Sequence, residues 1–423
     1  MMKKTLAFLF ILVLQQGYTQ TKQVITLDDC YNASINNYPN LKQMDMDVQI
    51  SKLNKQNIQA NYLPSLNLNG QVSYQSDVTK VPISVPGINI PIMAKDWYNL
   101  NLDVEQLIYD GGLIHNRKKI ADADLDIAHQ KLQIEFYQLK DQVNRIYFGI
   151  ILSRKTIEIL AVLKKNLEAT IADAEVAFNN GVLLSSDVDA LKVEYNLVLQ
   201  QIVEKHEDQR ALIAGLHILT ALDISNADQL VVPDVQVVTE KFVNNRPEYM
   251  LLGKQQTKIE ILSELSKAKQ RPVFMAFGQA GYGRPGYDML NDKFDTYYKV
   301  GARLHWNIWD WHQVKRERSV LSVQNEIINT QKQSFDQKLK ADLETKMAAI
   351  RKAEQLISTD ETIVSLQQNV VNTANVQLKN GSLTTTNYVI ELNKQVKAQL
   401  NLEVHKLQLV YSKYQYNITL GNL

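Results

Sequence analysis

Leu66-Asn67-Leu68-Asn69-Gly70-Gln71-Val72-Ser73-Tyr74 alternates without a break. Period two puts Leu66, Leu68, Gly70, Val72 and Tyr74 on one face of an extended strand and the polar residues on the other. The pattern returns in Tyr98, Leu100, Leu102 and Val104 against Asn99, Asn101, Asp103 and Glu105. It appears again far along the chain, in Tyr298, Val300, Ala302, Leu304 and Trp306 against Lys299, Gly301, Arg303, His305 and Asn307. A fourth segment, Val273 to Tyr282, alternates poorly and is the weakest of the four predicted strands.

These strands belong to a duplicated unit. Asn36-Asn37-Tyr38-Pro39 aligns with Asn244-Asn245-Arg246-Pro247, Pro64 with Pro272, Gly70 with Gly278 and Tyr74 with Tyr282, each pair 208 residues apart. Beyond them the offset is 200, as in Tyr98 with Tyr298, Tyr109-Asp110 with Trp309-Asp310, and Asn180-Gly181-x-Leu183 with Asn380-Gly381-x-Leu383. A period this long means one large unit doubled, because solenoid repeats run ~20–50 residues. The eight extra residues of the first copy fall in the apolar, proline-spaced segment Val81 to Pro91.

After each hairpin the period changes. Leu132, Phe136, Leu139, Val143, Ile146 and Ile150 follow the 4-3-4-3-4 seam of a helix packed along another helix. All nine prolines lie at 39–91 or 233–285, so long proline-free runs remain on either side. A helix over 113–178 would be ~100 Å long at ~1.5 Å per residue. The chain is expected to divide into a signal peptide at 1–19; a first repeat at 20–219, with strands about 66–75 and 97–108 and helices about 113–178 and 187–218; a linker at 220–243, in the equatorial region; and a second repeat at 244–423, with strands about 273–282 and 297–308 and helices about 313–378 and 386–416.

Met1 to Thr19 has the build of a secretory signal: Lys3 and Lys4, an apolar run from Leu6 to Leu14, and small residues at Gly17 and Thr19 before a cut. Elsewhere no window approaches the ~20 apolar residues of a spanning helix. Lys+Arg 46 against Asp+Glu 45 gives +1, and losing Lys3 and Lys4 gives 44 − 45 = −1. A basic footprint for nucleic acid is therefore missing. The one cysteine, Cys30, cannot form an internal disulfide and reads as a small buried side chain.

Strands with one apolar and one polar face, on an exported chain, suit a membrane barrel with lipid outside and water inside. Each covers the ~9–11 residues needed to cross a tilted bilayer span. Trp97, Tyr98, Tyr109, Tyr298, Trp309 and Trp311 cluster at strand ends, where an aromatic girdle would lie. Four strands cannot close a barrel, and an open edge in hydrocarbon leaves unpaired backbone groups. The chain would therefore have to associate with copies of itself. The other reading is a soluble periplasmic coiled-coil adaptor or scaffold capped by two hairpins.

Over nearly the whole mature chain the sequence resembles the TolC-like outer-membrane efflux channels. The likeness lies in Ile25-Thr26-Leu27-Asp28-Asp29-Cys30 followed by Asn37-Tyr38-Pro39-Asn40-Leu41, in Leu63-Pro64-Ser65-Leu66, in Tyr109-Asp110-Gly111-Gly112 and in the paired turns. The resemblance implies an α+β membrane protein of duplicated strand-strand-long-helix units. As a homotrimer it would form a twelve-strand β-barrel in outer-membrane lipid, continuous with a twelve-helix α-barrel in the periplasm and girdled by an equatorial collar. It further implies a periplasmic adaptor protein as partner and, through it, an inner-membrane pump of RND or ABC type. The function implied is a passive exit duct for tripartite efflux or type I secretion.

The same resemblance makes the turns between long helices the docking tips: Asn180, Gly181, Val182, Leu183 and Asp187 in the first, Asn380, Gly381, Ser382, Leu383 and Asn387 in the second. As plain helical hairpins they are also accounted for, with glycine as a left-handed C-cap and Ser or Thr as the next N-cap. Asn387 and Ile390 stand where the family carries tip aspartates, so that carboxylate ring is absent. Asp187 and Asp189 would either pair with neighbouring helices or, as first-turn acids, favour the helix start, the reading that acidic first turns support. Asp103, Glu105, Lys299 and Arg303 are the pore-lining candidates, a mixed charge that suits a wide hydrated duct.

No enzyme motif survives inspection. Gly281-x-Gly283-x-x-Gly286 imitates a dinucleotide fingerprint, but Pro285 and a polar run follow where a helix should start. The histidines lack metal-ligand spacing, and neither a phosphate loop nor a nucleophile elbow is present. Neither cofactor nor metal is expected, so energy for transport would come from a partner.

Overall fold

A computed structural model describes residues 24–79, 93–224, 227–237 and 244–421. The signal segment, the loop 81–91 and part of the linker 220–243 lie outside them. The elements run α1 (Leu27–Asn37), α2 (Gln43–Ala60), β1 (Ser65–Tyr74), β2 (Asp96–Tyr109), α3 (Leu113–Asn179), α4 (Ser185–Thr220), α5 (Pro247–Ala268), β3 (Val273–Arg284), β4 (Asp295–His305), α6 (Gln313–Lys379) and α7 (Thr385–Leu420). The order helix, hairpin, long helix, helix occurs twice, and α3 and α6 each have 67 residues. The chain divides into two compact units; among the described residues one has no strand and the other holds all four.

The strandless unit comprises the chain up to Tyr38, Leu139–Val237 and Lys346–Gln415. Its larger core sets Leu27, Cys30 and Tyr31 of α1 against Val143, Tyr147, Ile150 and Ile151 of α3, with Leu216 of α4 and Leu407 and Tyr414 of α7. α1 starts on a reciprocal cap. The Asp29 N–H donates to Thr26 Oγ1 at 3.2 Å, while the Thr26 N–H donates to Asp29 Oδ2 at 2.9 Å. The segment after α4 is tied to α3 by Arg154 Nη1, which donates to the carbonyls of Ala227 and Leu230 at 3.1 and 2.9 Å. Cys30 is fully buried, and burial pushes its thiol up to about 12, which keeps it a thiol rather than a nucleophile. A second core joins α3, α4, α6 and α7 next to the turns, with Leu167, Leu191, Val198, Leu378 and Leu392 at its centre.

The other unit comprises Pro39–Gln138, Val238–Thr345 and the chain from Tyr416. Its strands form one antiparallel sheet in the order β1-β2-β3-β4. Register runs Leu68↔Leu102, Leu102↔Ala280 and Ala280↔Tyr298 from strand to strand. Each apolar residue therefore lines up with apolar residues on one face, as the period-two pattern requires. β3 alternates poorly because its polar-face positions include Met275, Phe277, Gly281 and Gly283. The glycines and rings are complementary. A Cβ at Gly301 would lie 2.8 Å from the Phe277 ring, and one at Gly281 2.4 Å from the Tyr297 ring. An aromatic side chain thus takes the space beside a cross-strand glycine at both pairs.

Strand-to-helix junctions repeat the same backbone with different residues. Gly111 and Gly112 have φ of 70° and 92°, and their counterparts 200 residues on, Trp311 and His312, have φ of 52° and 61°. The aspartate before each pair caps the long helix: Asp110 accepts from the N–H groups of Gly112 (2.8 Å) and Ile114, and Asp310 accepts from Val314 at 2.9 Å. The Val314 N–H holds the Asp310 carboxyl below its usual range. Glycine is required at 111 for space as well as angle, since a Cβ there would sit 2.8 Å from Arg271 Cβ and 3.0 Å from the Ala268 carbonyl. Gly111→Ala is therefore expected to cost about 1–3 kcal/mol in denaturant melts. Trp311→Gly, which relieves the same conformation, should leave stability unchanged or higher. An unchanged Gly111→Ala melt would show that the junction yields.

Candidate functional site: a polar sheet face and two helical turns

The polar sheet face brings Asp103, Glu105, Lys299 and Arg303 together from strands 200 residues apart in sequence. Asp103, Gln279 and Lys299 share one register row across β2, β3 and β4. Three amides converge on the Asp103 carboxylate: Asn69 and Asn101 on Oδ2, each at 2.6 Å, and Gln279 on Oδ1 at 2.7 Å. Arg303 reaches Glu105 at 3.5 Å and lies over the Phe277 ring at 5.3 Å from its centroid, with Lys299 Nζ at 6.0 Å. Fixed amide donors and paired charges of both signs make a polar surface on which neither sign of charge dominates. From the sequence Asn69 and Asn101 are placed on the polar face without a role, and Gln279 and Phe277 are not singled out. The signal for Gln279 is its place opposite Asp103, which exists only once the β2–β3 register is known.

The opposite face is apolar and uncovered. Leu66, Leu68, Val72, Tyr74, Leu100, Leu102, Val104, Tyr298, Val300 and Leu304 are all exposed there. Among the described residues no helix is long and apolar enough to cross a membrane. Tyr98 and Tyr298 lie on this face. Tyr109 joins them through a bulge between Leu107 and Tyr109, which turns its ring onto Phe274 at 6.2 Å. Trp97 departs from the girdle expectation. It is one residue out of step with Tyr98, stands opposite Ser73 on the polar face, and donates its indole N–H to the Ala94 carbonyl at 3.2 Å. Trp309 and Trp311 are exposed beyond β4, which ends at His305 instead of running to 308, and their rings meet edge to face at 5.9 Å. The glycine motif at 281–286 straddles the end of β3 and leads into β4, so no helix start exists there to receive a pyrophosphate.

Both helical turns are closed by the same motif. At the first, the Val182 N–H donates to the Ala177 carbonyl and that of Gly181 to Phe178, each at 2.9 Å. At the second, Ser382 donates to Gln377 at 2.9 Å and Gly381 to Leu378 at 3.0 Å. Gly181 and Gly381 have φ of 74° and 67°, the left-handed position of this motif. The N-caps differ from the sequence expectation at the first turn. Leu184, not a serine, precedes α4 and offers no side-chain acceptor, while its own N–H donates to Asp187 at 3.2 Å, the other half of a capping box. At the second turn Thr384 does cap, its Oγ1 accepting from the Asn387 N–H at 3.3 Å. Asp189 accepts from Ser185 Oγ at 3.4 Å. Asn180, Asn380 and Asn387 are exposed, Leu183 and Leu383 are half-buried against the local core, and Ile390 is exposed. Val182 and Leu184 are 65% and 70% exposed, and Val182 lines a groove of about 430 Å³ together with Val176, Asn180, Leu183, Asn375 and Lys379.

A four-stranded amphipathic sheet with open edges, on a chain of duplicated long helical hairpins, is the architecture of the outer-membrane channels, and the chain has their fold. Solved structures similar to it are VceC, an outer membrane protein of Vibrio cholerae (13% identity, TM-score 0.67, 93% of this chain and 96% of that one), and the CmeC outer membrane channel of Campylobacter jejuni (11%, 0.66, 94% and 85%). The MtrE outer membrane channel of Neisseria gonorrhoeae, in its open state, is similar over 93% of this chain and 88% of its own, with 14% identity and a TM-score of 0.64. No family model and no curated protein matches the chain.

Proposed function

We propose that the protein is a passive exit duct in the outer membrane, assembled as a homotrimer and working in a tripartite efflux or type I secretion system. The observation that carries this reading is the fold shared with outer-membrane channels over more than nine-tenths of the chain. The uncovered apolar sheet face supports it as a lipid-facing surface, and the amide-rich opposite face as the wall of a water-filled lumen. The long helices would extend through the periplasm. The two glycine turns, with Val182 and Leu184 exposed, would dock a periplasmic adaptor protein that connects the duct to an inner-membrane pump of RND or ABC type. The chain has no enzymatic role in this scheme.

Planar-bilayer recordings test it. Asp103→Lys is expected to shift reversal potential toward anions and Arg303→Glu toward cations, with oligomer mass in detergent unchanged. Identical selectivity in both variants and the parent would remove the sheet's polar face from the lumen.

A further inference from the structure

Trp97, out of step with the girdle, has company on the polar face. Tyr297 of β4 lies across the sheet: its ring takes the space above Gly281 of β3, and its hydroxyl donates to Asn99 Oδ1 of β2. Tyr287, just beyond β3, is 54% exposed. Its ring centroid lies 4.6 Å from that of Tyr297, and its hydroxyl donates to Gln279 Oε1 at 2.8 Å. The two tyrosines, Trp97 and Asn99 wall a cavity of about 410 Å³, with Gln71 and Ser73 of β1 on a further side. Small-molecule sites begin at ~300 Å³. All of this lining comes from one chain, at the ends of the strands farther from α3 and α6.

The wall is aromatic and polar but carries no open charge. Arg284, the one ionised side chain lining it among the described residues, is held by the Asp96 carboxylate and by the Asp96 carbonyl at 3.2 Å. Gln71 and Ser73 have no side-chain partner among the described residues, and Asn99, with Oδ1 taken by Tyr297, keeps its amide N–H groups for a ligand. An anion would find the cation already paired, and a cation would find no carboxylate on the wall. An apolar solute would strip water from these amides and replace none of it. A sugar meets both demands. Its ring C–H bonds, polarised by the oxygens beside them, stack on the negative face of an aromatic ring. Its hydroxyls donate and accept, as do carboxamides and the serine hydroxyl.

We propose that this cavity binds a neutral saccharide, with a sugar ring stacked on the pair of Tyr287 and Tyr297 and its hydroxyls on Gln71, Ser73 and Asn99. The inference accounts for two features that a plain polar wall leaves over. Aromatic rings on a wet wall keep apolar surface in water, and here three gather at one place. By donating to Gln279, the Tyr287 hydroxyl also ties the segment after β3 to the amides around Asp103. Its ring is therefore held before a ligand arrives, which lowers the cost of binding. The site itself needs no second copy; only its position at the mouth of a lumen rests on the channel reading.

Isothermal titration of the full-length protein, purified in detergent, tests the site with maltohexaose, cellohexaose and hexa-N-acetylchitohexaose. At least one is expected to bind saturably, with the same affinity at low and high salt because the ligand is neutral. Tyr287→Ala lies outside the strands and Gln71→Ala is exposed on β1, so both should keep the parent's thermal melt. Each is expected to weaken binding about tenfold. Tyr298→Ala, an aromatic of the apolar face, should bind as the parent does. No saturable heat with any of the three sugars, or parental affinity in both Tyr287→Ala and Gln71→Ala, would overturn the site. Tetramethylammonium binding that Tyr287→Ala abolishes, with no sugar bound, would replace the saccharide by a cation. In planar bilayers the bound sugar should interrupt the current. Saturable binding without interruption would keep the site and count against the lumen reading alone.

Discussion

Arginine at Leu102 or Leu304 is expected to keep the chain out of the membrane. Both leucines lie on the apolar sheet face, 39% and 57% exposed, in the body of β2 and β4. A guanidinium there would have to enter hydrocarbon at about 2–4 kcal/mol near the mid-plane. Every copy in an oligomer would carry that cost. Asn67→Arg is the control, one residue out of step with Leu66 and Leu68 and therefore on the polar face, where a charge stays wet. The measurement is the fraction of oligomer recovered from outer-membrane fractions. Near-complete loss for the leucine variants with recovery for Asn67→Arg is the expected result. Equal recovery for all three would mean that the apolar face does not meet lipid.

Valine at Gly181 and Gly381 together is expected to abolish transport while leaving the oligomer in the membrane. A Cβ at either position meets nothing within 4 Å, so crowding is not the problem. The penalty is the left-handed backbone, about 1–2 kcal/mol per residue for an L side chain, and β-branching adds to it. Both turns lie in the strandless unit, so strand pairing should not feel the change. The expected result is normal oligomer by mass and fractionation, with export lost and crosslinking to a periplasmic adaptor reduced. Asparagine, which tolerates this conformation, should restore both at either glycine. Full transport and normal crosslinking in the double valine variant would return the turns to plain helical hairpins.

Much of this is legible in the sequence. The period-two runs announce strands because alternate side chains of an extended chain face opposite ways. The 4-3 seam announces long helices because Leu132, Phe136, Leu139, Val143 and Ile150 fall on one stripe, and all five are buried. Glycine at 181 and 381 announces the turns because few other residues accept their φ. What was hidden depends on residues far apart in the chain. The weak alternation of Val273 to Tyr282 arises because Phe277 and Tyr297 take the space beside cross-strand glycines. Leu184 carries no capping oxygen, and Asp187 makes only the reciprocal half of the cap by accepting from the Leu184 N–H.

By itself the sequence determined the repeat, the element types and the two faces of the sheet, because these follow from local geometry and from spacing within one segment. Only the tertiary structure decided the register of β2 against β3, and with it the gathering of Asn69, Asn101 and Gln279 around Asp103. Pairing between those strands joins segments some 170 residues apart. Period two constrains such pairing only to even shifts, so side-chain contacts across the sheet select among the registers that remain.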